Sequence, residues 1–158
     1  LKYTFEMIHN GTCWICINTH RANPLAKTAL TQHQFTELAP YETLQSEVKV
    51  NDCRFDFALL KNAQITTYIE VKAVTLVGED GQYQFPDAPS TRAHKQLKQL
   101  IKLNQQGYQT AILYILFRSD GQGFRPAKEI DPIYEKLYSE ALKTGLKPLY
   151  LNQLPFKP

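Results

Sequence analysis

Tyr68-Ile69-Glu70-Val71-Lys72 is the stretch on which the reading of this chain turns. In a strand, side chains alternate between faces, so Glu70 and Lys72 share one face while Ile69, Val71 and Ala73 share the other. The preceding run, Arg54-Phe55-Asp56-Phe57-Ala58-Leu59-Leu60, sets a second acid, Asp56, among apolar residues. Lys61-Asn62-Ala63-Gln64 is a short turn, which predicts an antiparallel pair that brings Asp56 across from Glu70. Two carboxylates and an amine converging at a sheet repel one another and lose hydration. A divalent cation resolves that conflict. Oxygen ligands favour magnesium, which polarises a phosphoryl oxygen and lowers the pKa of an attacking water. Lys72 would then position the water or face the transition-state phosphate. The alternative is a solvated strand face carrying a surface ion pair.

Length and composition frame that choice. The chain has 158 residues, enough for one domain with an ordinary core, and is 43% hydrophobic and 21% charged, as soluble globular proteins are. Its formal net charge of +3 is compatible with an acidic partner. No basic start followed by an apolar stretch reads as a secretory signal, and the longest apolar run, 111–117, is too short to cross a bilayer. A cytoplasmic location without a membrane partner is therefore expected. The chain starts at Leu1 rather than Met, which suggests a processed product or a piece of a longer protein. Cys13-x-x-Cys16 lies in a strand-like run whose positions three apart point to opposite faces, and no second pair completes a zinc site. Cys13, Cys16 and Cys53 are expected as free or core thiols. His9, His20 and His33 read as surface or capping residues.

Taken in order, residues 3–8 and 12–17 form a hairpin about His9-Asn10-Gly11. Asn18 or Thr19 caps a helix through Ala29 or Leu30, with Pro24 in its first turns, and 32–43 is a loop. Residues 44–50 form a strand containing Glu47, turned by Asn51-Asp52 into the Asp56 strand. The Glu70 strand runs on toward Val77, and a turn over 78–81 leads to Tyr83, Phe85, Pro86 and Asp87. Ser90 or Thr91 caps a helix ending near Gly107. Along it Ala93, Leu97, Leu100, Ile101 and Asn104 fall on one arc, and Lys95, Lys98 and Lys102 on another. Arg92 and Gln96, one turn apart, flank the edge nearest the acids. Residues 109–117 read as a buried central strand, 118–131 as a surface loop, 133–143 as a helix, and 146–151 as an edge strand interrupted by Pro148.

A helix, a three-strand meander carrying Glu47, then Asp56, then Glu70-x-Lys72, a second helix and a further strand resemble the core of the PD-(D/E)xK nuclease superfamily. The resemblance implies an α/β fold with a mixed central sheet, helices on both faces and a restriction-endonuclease-like α-β-β-β-α-β core. It implies that Asp56 and Glu70 hold one or two magnesium or manganese ions, that Lys72 assists the attacking water, and that Glu47 supplies a further acid. Phe55 stands where many members have proline.

A closer likeness covers nearly the whole chain. Ile17-Asn18-Thr19-x-x-Ala22-Asn23, Leu44-x-Ser46-Glu47-Val48, Arg54-x-Asp56-Phe57, Tyr68-Ile69-Glu70-Val71-Lys72-x-Val74-Thr75-Leu76, Phe85-Pro86-Asp87-Ala88 and Phe124-x-Pro126-Ala127 together resemble the carboxy-terminal part of the sugar fermentation stimulation protein A family. That resemblance implies DNA as partner and an OB-like domain preceding the nuclease-like one. Residues 1–17 are then a connecting hairpin, a remnant of that first domain, and 18–158 the nuclease-like domain. Where the family pattern resembles Arg-Gly-x-Lys-His-Leu, this chain has Arg92-Ala93-His94-Lys95-Gln96-Leu97. Glutamine donates to a phosphate or holds a water but shuttles no proton. Arg92, Lys95, Gln96 and Lys98 are the candidate phosphate contacts. Two functions follow: magnesium-dependent hydrolysis of DNA, or nonspecific DNA binding by a regulator of sugar (maltose) metabolism genes whose nuclease-type site is vestigial.

Overall fold

Strands rich in aliphatic and aromatic residues build a five-stranded sheet, and the computed structural model describes residues 2–156 around it. Ahead of the sheet, β1 (Met7–His9) pairs antiparallel with β2 (Trp14–Cys16). The Asn10 side chain accepts from the Thr12 and Cys13 N–H groups to close that turn. Asn18 accepts from the His20 N–H and opens a short 3-10 turn, Thr19–Arg21, that runs into α1 (Ala22–Thr31). Pro24 falls in the first helical turn, where no N–H has an intrahelical acceptor to lose.

The meander follows as β3 (Thr43–Val50), β4 (Cys53–Lys61) and β5 (Gln64–Val74). Asn62 and Ala63 join the last two with φ of 51° and 61°, the left-handed pair that a tight two-residue hairpin needs. Next come β6 (Leu76–Val77), β7 (Tyr83–Phe85), α2 (Thr91–Gln105), β8 (Gln109–Leu116), β9 (Phe124–Pro126), α3 (Pro132–Thr144) and β10 (Lys147–Asn152). Ser90 caps α2 by accepting from the Ala93 N–H, and Asp131 caps α3 by accepting from the Tyr134 N–H.

The strand order is β10-β8-β5-β4-β3, parallel from β10 to β5 and antiparallel from β5 to β3. The expected α-β-β-β-α-β order with an additional helix and edge strand is present. One element differs. The segment read as a surface loop contains β9, which pairs parallel with β7, and with β6 they form a second, three-stranded sheet. Three-residue strands carry too short an alternation to stand out from loop sequence.

Helices cover both faces. Ala22, Ala26 and Leu30 of α1 pack with Phe57, Leu59, Ile69, Val71, Leu113 and Ile115. On the other face Leu97, Leu100 and Leu103 of α2 and Tyr134, Leu137 and Tyr138 of α3 pack with Phe55, Tyr68, Ile112 and Tyr114. Each large side chain so buried contributes roughly 1.5–3 kcal/mol. Among the described residues no helix is long and apolar enough to cross a membrane.

The β3–β4 pair changes face at one place. Leu44 packs with the α1 side but Val48 with the α2 side, and Phe55 with the α2 side but Phe57 with the α1 side. Residues two or four apart in a regular strand share a face, so the ribbon rotates between these positions. At that point Glu47 has φ of 55°, and the ladder lacks a Glu47–Asp56 pair between Ser46–Phe57 and Val48–Phe55. The rotation presents Asp56 beside the middle of β5.

Candidate active site

Glu70, Lys72 and Gln96 form a closed triangle. Alternation along β5 turns Glu70 and Lys72 toward the α2 side, and the first turns of α2 bring Gln96 to meet them. Lys72 Nζ donates to Glu70 Oε1 at 2.9 Å and to Gln96 Oε1 at 2.7 Å, and Gln96 Nε2 donates to Glu70 Oε1 at 2.9 Å. Glu70 is only 3% exposed, and its other oxygen, Oε2, is buried without any hydrogen-bond partner among the described residues. Burial pushes the Glu70 carboxyl up to about 7, even though the neighbouring ammonium pulls it down; the Asp56 charge adds to the rise. Lys72 Nζ also lies 5.8 Å from the centroid of the Phe85 ring, within reach of a cation–π attraction.

Asp56 stands at the point where β4 and β5 part. The ladder between them ends at Phe57–Ile69, one residue short of an Asp56–Glu70 pair. The Asp56 carboxylate spans the opening: Oδ2 accepts from the Val71 N–H at 2.7 Å, and Oδ1 accepts from Asn23 Nδ2 at 2.8 Å. Glu47 does not join this pair of acids. Its left-handed backbone interrupts the pairing of β3 with β4, its side chain is exposed, and among the described residues no group of three His, Cys, Asp or Glu side chains is placed to surround an ion. The expected convergence of Glu47, Asp56 and Glu70 is thus corrected to two acids, because the strand rotates at Glu47 instead of continuing flat.

Arg92, Lys95 and Lys98 lie exposed along α2, whereas Gln96 is buried with its amide committed to Glu70 and Lys72. Gln96 therefore belongs to the acid–amine cluster and is not free to meet a phosphate as expected. It also lines a cavity of about 490 Å³ together with Asp52, Cys53, Arg54, Thr91, Arg92 and Lys95, so the basic surface and the acid–amine cluster share one side chain.

Asn23 shows no role in the sequence beyond its place in a motif at the start of α1, because its partner lies 33 residues away. His94 is equally silent there. Its Nε2 lies 2.7 Å and 2.8 Å from the two oxygens of buried Asp131, which also accepts from the Ser90 N–H and so ties the start of α2 to the start of α3. Asp87 is exposed ahead of α2, and Phe85 packs edge-on against Tyr134. Tyr83 is buried, its hydroxyl donating to the Arg118 carbonyl. His9, His20 and His33 are exposed, and the three cysteines are free and buried.

A family model described as "Sugar fermentation stimulation protein RE domain" matches residues 20–154. The sugar fermentation stimulation protein homolog of Pseudoalteromonas atlantica is 39% identical over 153 residues, which make up 94% of this chain and 64% of that protein. The homolog of Shewanella piezotolerans is 42% identical over 137 residues, 85% of this chain and 58% of its own. That of Geotalea uraniireducens is 39% identical over 148 residues, 93% and 63% respectively. The chain thus spans 58–64% of the length of these relatives. Among solved structures, Pyrococcus furiosus SfsA in complex with Ca2+ matches with a TM-score of 0.81 at 23% identity, over 96% of this chain and 67% of that one, a likeness of fold.

Proposed function

The chain belongs to the sugar fermentation stimulation protein family, and from that premise we propose that its acid–amine cluster is the divalent-cation site of a DNA phosphodiesterase. The observation that carries this reading is Glu70 Oε2, a carboxylate oxygen buried without a donor beside a second acid. A cation supplies the missing partner and removes the cost of ionising Glu70. Asp56 and Glu70 would hold the ion, and their hard oxygens suit magnesium or manganese. The fold-related Pyrococcus protein was solved with Ca2+, an ion of the same class. When bound, the ion polarises a phosphoryl oxygen and acidifies water.

The chain's own residues do the rest. Glu70 and Gln96 hold the Lys72 ammonium in place, so it orients a water or faces the phosphate without searching its rotamers. Gln96 fixes both partners and moves no proton. Arg92, Lys95 and Lys98 neutralise phosphates along α2.

A second reading, DNA binding without chemistry, as suits a regulator of sugar metabolism genes, draws on Asp56. Both of its oxygens already accept hydrogen bonds within the protein, and Glu47 stands apart. Plasmid and single-stranded DNA incubated with magnesium or manganese separate the two readings. Hydrolysis is expected from the wild type and only background from Glu70→Ala and Lys72→Ala. Equal residual cleavage by all three would leave the binding reading in possession.

A further inference from the structure

We propose that the tip of the β1–β2 hairpin deamidates itself: the Asn10 side chain closes on the backbone nitrogen of Gly11, with His9 as the base, and leaves aspartate and isoaspartate at position 10. This chemistry needs neither the acid–amine cluster nor any ligand.

An asparagine followed by glycine holds the nucleophile and the electrophile of one reaction in adjacent residues. The Gly11 nitrogen attacks Asn10 Cγ to close a five-membered succinimide, and it attacks only as it gives up its proton. A peptide nitrogen is a weak acid and an amide carbon a weak electrophile, so an ordinary chain reacts slowly. The hairpin assists at both points. Gly11 N–H donates to His9 Nδ1 at 3.2 Å, which leaves the imidazole lone pair on Nδ1 and its proton on Nε2. A base thus stands within hydrogen-bond reach of the proton that has to leave. Its ring is set by Trp14, the cross-strand partner of His9, edge-on with centroids 5.3 Å apart.

The electrophile is prepared as well. Asn10 Oδ1 accepts from the Thr12 N–H at 2.9 Å and from the Cys13 N–H at 2.8 Å. Two main-chain donors are therefore already aimed at the oxygen that takes up negative charge in the tetrahedral intermediate. Nothing crowds the approach: Gly11 has φ of 96°, and no atom lies within 4 Å of where its Cβ would stand. Asn10 and Gly11 are exposed, so water reaches the succinimide. The turns at Asn51-Asp52 and Asn62-Ala63 have a Cβ on the nucleophilic residue. Among the described residues no side chain accepts from the Asp52 or Ala63 N–H, as His9 does from Gly11.

Atoms and charges balance without an oxidant or a reductant. Gly11 N passes its proton to His9 Nδ1 as the N–Cγ bond forms and the carbonyl pair moves onto Oδ1. When that pair returns, the Cγ–Nδ2 bond breaks, and Nδ2 takes the proton from the imidazolium and departs as ammonia. Water then opens the ring. Addition at Cγ restores the main chain as aspartate; addition at the main-chain carbon routes the chain through the side chain as isoaspartate. Both products add a negative charge to the turn. The isoaspartyl form also lengthens the main chain where Asn10 N–H donates to the Cys13 carbonyl at 3.1 Å, so the hairpin loses its register there.

Peptide mapping by mass spectrometry, with isoaspartate read by enzymatic methyl transfer, tests this on the folded protein and on the same protein held unfolded in urea. The folded chain is expected to deamidate at Asn10 at least about tenfold faster than the unfolded one, a modest share of what a positioned base supplies. It should also react faster at Asn10 than at Asn51 or Asn62. His9 is exposed, so His9→Gln keeps the fold, as a melting curve checks; it should slow the folded chain at least about tenfold and leave the unfolded rate unchanged. A folded rate at or below the unfolded one overturns the proposal. A fast folded rate that His9→Gln does not alter overturns it too, because the base is then not His9.

Discussion

Two acid–cation pairs in this molecule have the same sequence spacing and opposite character. Glu70 and Lys72 are two residues apart, as are Arg118 and Asp120. Arg118 Nε and one terminal nitrogen each donate at 2.6 Å to different oxygens of Asp120, and the guanidinium holds that carboxyl well below the usual carboxylate range. Lys72 reaches only Oε1 of Glu70 and leaves Oε2 bare in the interior, where burial raises the carboxyl to about 7. A planar fork satisfies two lone-pair directions at once, and a point ammonium cannot. The satisfied pair is architecture, while the unsatisfied one retains a demand for a further positive group.

The largest expected contrast between the two is in activity. Glu70→Ala should reduce DNA cleavage to background, whereas Asp120→Ala should leave the rate per folded molecule within about twofold, since it lies outside the cluster whose charge stabilisation matters. Cleavage assays at matched folded fractions measure both.

Stability of the metal-free chain should change with opposite sign at the two sites. Glu70 is raised from 4.5 to about 7, so the folded chain holds a proton that the unfolded chain has lost. Its stabilising contribution is complete below about pH 4.5 and is lost as pH rises through 7. Glu70→Gln should remove that decline and leave the variant more stable than wild type at pH 8, by up to about 3 kcal/mol. Asp120 is depressed, so its contribution is present at neutral pH and lost only in acid. Asp120→Asn should therefore cost about 1–2 kcal/mol at pH 7. Chemical denaturation of the variants from pH 4 to 9 reads all of these; a wild-type curve flat from pH 5 to 8 would erase the contrast.

Magnesium sharpens it further. At about 100 times its dissociation constant the ion should stabilise the wild type by about 2.7 kcal/mol, and Glu70→Ala should abolish the gain while Asp120→Ala keeps it. Because Glu70 must ionise to take part, the shift in melting temperature should grow as pH rises through 7. The smallest effect belongs to Asn23→Ala, which removes one donor from Asp56 but leaves the Val71 N–H in place. A loss of about 1 kcal/mol, read by denaturant midpoint, fits that single hydrogen bond. A loss several times larger would make Asn23 a member of the core of the site.

Local rules in the chain already determined a good deal. Alternation placed Glu70 and Lys72 on one face; the Asn10-Gly11 turn bounded the first hairpin, and the Ser90 cap and Gly107 bounded α2; the largely apolar run 109–117 announced an interior strand. Each depends on interactions spanning only a few residues. Only the tertiary structure decided that Gln96 serves the cluster instead of a phosphate, that Asn23 holds Asp56, and that Glu47 falls outside. Those outcomes depend on how α1 and α2 dock and on a strand rotation whose consequence is felt one strand away. The same holds for the acidity of Glu70. The sequence sets a cation two residues from an acid at both places, and how deeply each acid is buried cannot be read there, because desolvation is a property of the layers packed over a side chain and not of its neighbours along the chain.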